Sequence, residues 1–133
     1  MTRQEFGAIL MKAKKEANVK LIESLPYIQR LTPKRIEAIE TGKYNYELAD
    51  AFLYINMCGA TLEMLYDFIT SIQDLRKALS RELKNFDMSV SRLSQLSEVP
   101  VSVINAFLEG HTRLKIDSFL KIANALGEEI VIQ

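Results

Sequence analysis

The sequence predicts an all-α fold: two tandem compact helical bundles, with a possible short β-strand at the C-terminus. The leading observation is an internal similarity at an offset of 68 residues. Leu25, Ile36, Gly42 and Gly59 recur as Leu93, Ile104, Gly110 and Gly127. Apolar pairs fill the frame between them: Ile28 with Leu96, Leu31 with Val99, Ile39 with Phe107, Leu48 with Ile116, and Phe52 with Leu120. A second observation is helical periodicity, with apolar residues three and four apart in both halves. The third is punctuation, since helix-opening hydroxyls and helix-ending glycines stand at the ends of the periodic runs. The predicted units are residues 1–69 and 70–133, the terminal strand belonging to the second.

The first helix spans about Gln4 to Ala17, its face built by Phe6, Leu10, Ala13 and Ala17. Its counterpart begins near Ser71 with Leu75, Leu79, Leu83 and Phe86 on one side. These two match at an offset of 69, which implies one additional residue between Val19 and Ser24. A short second helix is expected around Leu25, where Pro26 removes a backbone donor and bends the chain. Its equivalent opens at Ser89 and carries Leu93 and Leu96, with Ser97 to Val99 as the turn. Thr32-Pro33 then starts a helix through Ile36 and Ile39 to Glu40, stopped by Gly42. Pro100 to Leu108, stopped by Gly110, is the matching piece. Last come the helices with Leu48, Ala51, Phe52 and Ile55, and with Ile116, Phe119, Leu120, Ala123 and Leu126. Gly59 and Gly127 suit left-handed stops after them. The junction from Asp67 to Asp74 is expected to be short or helical. In the tail, Ile130 to Ile132 is strand-prone and needs a partner, such as the same strand of a second molecule.

Composition is that of a folded soluble chain, 48% hydrophobic and 26% charged. The single cysteine, Cys58, can staple nothing within the chain and reads as a small buried hydrophobe, which suits a reducing, cytoplasmic setting. No segment approaches the roughly 18 apolar residues of a membrane span. Positive and negative charges are equal at 17 each, nine against nine up to residue 70 and eight against eight beyond it. A nucleic-acid partner therefore requires a local basic face offset elsewhere. There is no glycine-rich phosphate loop, no cluster of metal-ligand spacing and no nucleophile with a base, so neither catalysis, metal nor cofactor is expected.

Short helix, tight turn, short helix ending in glycine and then a long amphipathic helix resembles the helix-turn-helix domain of phage repressors, Cro-like proteins and many bacterial transcriptional regulators. The resemblance rests on Leu25, Leu31, Thr32, Ile36, Ile39, Glu40, Gly42 and Gly59, then Leu93, Val99, Ile104, Phe107, Gly110 and Gly127. Ile39-Glu40-Thr41-Gly42-Lys43 is close to the family's isoleucine-glutamate-any-glycine-lysine signature. The second copy keeps the apolar frame without the polar signature. The glutamine that usually opens the second helix and contacts phosphate is absent: Leu21 or Ile22, and Val90, stand there.

What the resemblance implies is a recognition helix, about residues 32–41, lying in the major groove of double-stranded DNA. It places Thr32, Pro33, Lys34, Arg35, Ala38, Lys43, Tyr44 and Asn45 at the DNA in the first copy. In the second it places Ser102, His111 and Arg113 there, with Val101 and Ala106 at equivalent positions and Val103 nearby. Lys34 suits guanine or phosphate, and Lys43 follows the glycine where a phosphate contact is expected. Val101 and Val103 suit a protein contact as well as a thymine methyl. The family's pairing of a basic residue with the recognition-helix glutamate falls on Lys14 or Lys15 with Glu40. Its second-copy equivalents, Leu83 and Leu108, are both apolar. The expected function is a sequence-specific DNA-binding transcriptional regulator, repressor-like, bacterial or phage. Its second half assists binding or assembly, including a possible homodimer through that half or its strand. The alternative is a helical interaction module that has lost DNA binding.

Overall fold

The structure is a computed structural model and describes residues 1–17, 30–111 and 113–133. Among these it is mostly helical, with seven helices and a small antiparallel sheet. In chain order they are α1 (Arg3–Ala17), α2 (Pro33–Thr41), α3 (Leu48–Met57), β1 (Leu62–Met64), β2 (Asp67–Ile69), α4 (Ile72–Asn85), α5 (Val90–Ser97), α6 (Val101–Glu109), α7 (Ile116–Ala125) and β3 (Val131–Ile132). The readings around Leu25, Pro26 and Ile28 lie outside the described residues.

Helix boundaries follow local chemistry. Thr32, Ser71 and Ser89 each accept the backbone N–H three residues on, with Pro33 in the first turn of α2. Pro100 precedes α6 without a side-chain cap. Gly42, Gly59, Gly110 and Gly127 all take the left-handed conformation expected of them.

The structure adds a hairpin to the expected helices and changes the partner of the expected terminal strand. A β-hairpin, β1 to β2, occupies the stretch before residue 70, and only Thr70 and Ser71 join it to α4. Its two-residue turn puts Leu65 and Tyr66 at positive φ, a conformation that costs non-glycine residues about 1–2 kcal/mol each. Burial of Leu65 and an Arg81 guanidinium donating to the Leu65 carbonyl at 2.6 Å oppose that cost. The C-terminal strand exists, but its partner is β1 of the same chain rather than a second molecule, in the order β2-β1-β3. Leu96 and Phe86, expected on core faces, are exposed.

The buried side chains form one connected core drawn from both halves of the sequence. Equivalent positions are buried alike: Leu31 and Val99, Ile39 and Phe107, Leu48 and Ile116, Phe52 and Leu120. Two of the backbone pairings joining the halves are between equivalent positions. Glu47 bridges Lys115 antiparallel, and Leu48 N–H to Leu114 is returned by Ile116 N–H to Tyr46. In the sheet, Glu63 pairs Val131 antiparallel. In each of these two pairs the partners are 68 positions apart. Phe6 packs on Phe119 across the same boundary, and Arg3 pairs with Asp117 at 3.2 Å.

Candidate nucleic-acid interface

Helix α2 turns one side to the core and one outward. Ala38 and Ile39 are buried, whereas Thr32, Pro33, Lys34, Arg35, Glu37 and Thr41 are exposed. At 3.6 residues per turn, Pro33, Lys34, Glu37 and Thr41 share the outward side. Ala38 was expected there and is not; at 2% exposure its methyl fills the helix interface. Thr32 Oγ1 accepts the Arg35 N–H, leaving its hydroxyl proton free to donate. Arg35 also reaches the Arg30 carbonyl at 3.2 Å.

The loop after α2 keeps Lys43 and Tyr44 exposed, as a phosphate contact requires. Asn45 has another task. Its Oδ1 accepts the Asp117 N–H at 3.0 Å and so caps the start of α7 from the other half of the chain, where Lys115 offers no side-chain cap. Its Nδ2 amide makes no hydrogen bond among the described residues and keeps two donors.

Helix α6 exposes the corresponding positions, Val101, Ser102, Asn105 and Glu109. His111 and Arg113 are also exposed, and His111 Nδ1 lies 3.6 Å from Glu109. Glu37 and Asn105 occupy equivalent central places on the two outward sides, and neither was singled out from the sequence. The signal was available, since each lies four residues after the first helical position. The pairing Lys14–Glu40 is present at 2.5 Å, with Lys14 rather than Lys15. Tyr54 completes it, its hydroxyl donating to the same carboxylate oxygen.

Where the halves meet below these loops, charges converge from both. Lys115 Nζ stands 3.5 Å from Glu47. Burial holds the Asp50 carboxyl above its usual range, and Glu47 adds to this, while Arg35, Arg113 and Lys115 act in the opposite direction. Arg35 and Arg113 therefore bear on one carboxylate although they come from opposite halves. Among the described residues, no three His, Cys, Asp or Glu side chains gather as a metal ion would need, and no helix is long and apolar enough to cross a membrane. No protein-family model, curated protein or solved structure matches the chain.

Proposed function

We propose that the chain is a tandem pair of helix-turn-helix units, residues 1–69 and 70–133, that binds double-stranded DNA as a transcriptional regulator. The single observation carrying this reading is the outward side of α2. A short helix with a capped N-terminus presents Thr32, Pro33, Lys34 and Arg35 to solvent, and a tight left-handed glycine turn then presents Lys43 and Tyr44. Such a helix end fits a groove about 12 Å wide, with base edges at its first turn and phosphates at the flanking loop. The residues proposed to touch DNA are Thr32, Pro33, Lys34, Arg35, Lys43 and Tyr44. Ser102, His111 and Arg113 assist from the second unit, and no catalytic role is assigned to any residue.

A second reading is an interaction module with the same architecture and no DNA partner. Val101 exposed at the start of α6 and the acidic Glu37 on the outward side of α2 favour it. Titration with random duplex DNA at low and moderate salt separates the two. A regulator binds at low salt and weakens steeply as salt rises, and Lys34→Ala with Lys43→Ala weakens binding and flattens that dependence. Absence of binding at both salts, or a double variant that binds like the parent, removes the regulator reading.

A further inference from the structure

We infer that one chain spans a complete operator of two unlike half-sites, with Lys34 and Glu37 reading one and Val101 and Asn105 the other. This rests on the DNA-binding reading above and deepens it. Antiparallel pairing of a residue with its own equivalent is what a local twofold axis generates, and the chain makes two such pairings, Glu47 with Lys115 and Glu63 with Val131. The ten-residue helices α3 and α7 each follow the first of these pairings in sequence and precede the second. Reciprocal hydrogen bonds of Leu48 and Ile116 fix the end of the axis next to the loops that follow α2 and α6. Both outward-facing helices therefore flank the same end, at matching heights. This is the arrangement by which repressor dimers set two helices into successive major grooves about 34 Å apart. Here a single polypeptide supplies it.

Symmetry of backbone is not matched by symmetry of side chains. The outward positions pair Pro33 with Val101, Lys34 with Ser102, Glu37 with Asn105 and Lys43 with His111. Lys34 donates to guanine O6 and N7, and Glu37 three residues on accepts from a cytosine amino group, so the first unit favours a G·C pair. Asn105 matches the N6 and N7 edge of adenine bidentately, and Val101 one turn earlier suits a thymine methyl, so the second favours A·T. Glu37 is unfavourable towards phosphate, so in a DNA complex it suits a base donor. A palindrome would mismatch one unit.

The test is selection of duplexes from a random pool by the full chain, with the mass of the selected complex measured by sedimentation. The expected result is one chain per duplex, contacting two half-sites about 10 base pairs apart centre to centre. The half-sites differ, one marked by a G·C pair and the other by A·T. Asn105→Ala, an exposed change checked for helicity by circular dichroism, then weakens the selected site about tenfold or more. It also relaxes preference in the A·T half alone. Two chains on a palindrome, or an Asn105→Ala variant selecting the parent's sequence, overturns the inference while leaving DNA binding intact. A pool from which no duplex is enriched, with no salt-sensitive binding, removes both.

Discussion

Gly7 lies directly against the carbonyl of Ile39. A Cβ at Gly7 would stand 2.5 Å from the backbone oxygens of both Ile39 and Glu40. The equivalent contact in the second half is made in the opposite way. Arg76 replaces the glycine, and its Nε donates to the Phe107 carbonyl at 2.5 Å while the guanidinium lies 5.1 Å from that ring. One half brings two backbones together, and the other spans the gap with a long side chain capping the last turn of α6.

Gly7→Ala is accordingly expected to force α1 and α2 apart. The cost should be about 1–3 kcal/mol, as for other overpacked interfaces, although alanine is the better helix former. Urea unfolding of parent and variant measures it. An unchanged or raised midpoint would mean that α1 approaches α2 less closely than described.

Lys14, Glu40 and Tyr54 form a polar group whose equivalents, Leu83, Leu108 and Ile122, are all aliphatic. Glu40→Leu alone deprives the Tyr54 hydroxyl and the Lys14 ammonium of their acceptor and should destabilise by about 1–3 kcal/mol. Lys14 keeps 34% of its side chain in solvent, so most of that loss belongs to the buried tyrosine and not to the ion pair. Adding Lys14→Leu and Tyr54→Ile reproduces the second half and should recover most of the loss. Thermal midpoints of the single and triple variants decide this; a triple variant weaker than the single would sink it.

Cys58 gives a test in pH. Burial raises its thiol from 9.0 to about 11, with Lys14 opposing and Glu40 adding to the effect. The folded state thus holds this proton to higher pH than the unfolded chain. The resulting stability is complete below pH 9 and is lost as pH rises through 11. Between pH 8 and 10.5 the parent should therefore lose more stability than Cys58→Ala, as read from urea midpoints. Equal losses would show that the thiol titrates normally. At pH 8, iodoacetamide should also alkylate Cys58 much more slowly in the folded protein than in urea.

Much of the helical skeleton was legible because it is written locally. Thr32, Ser71 and Ser89 each fix a helix start through their own hydroxyl, and four glycines mark ends that need positive φ. The sheet was less legible. Leu62 to Met64 carries no alternation long enough to read, and its pairing depends on Val131, far away in sequence. The turn was hidden further by Leu65 and Tyr66, which hold positive φ where a glycine or asparagine would have announced it. On and after α2, Lys34, Arg35 and Lys43 are exposed. The burial of Ala38 and the capping of α7 by the Asn45 carbonyl were not legible, because both are demands of tertiary contact.

The cross-pairing of equivalents also sets an order of events during synthesis. Glu47 and β1 leave the ribosome long before Lys115 and Val131 exist to meet them. Until then the hairpin has a bare flank, the kind of surface that invites wrong partners. Slowing translation between residues 70 and 131 should then cost soluble yield without altering the finished molecule.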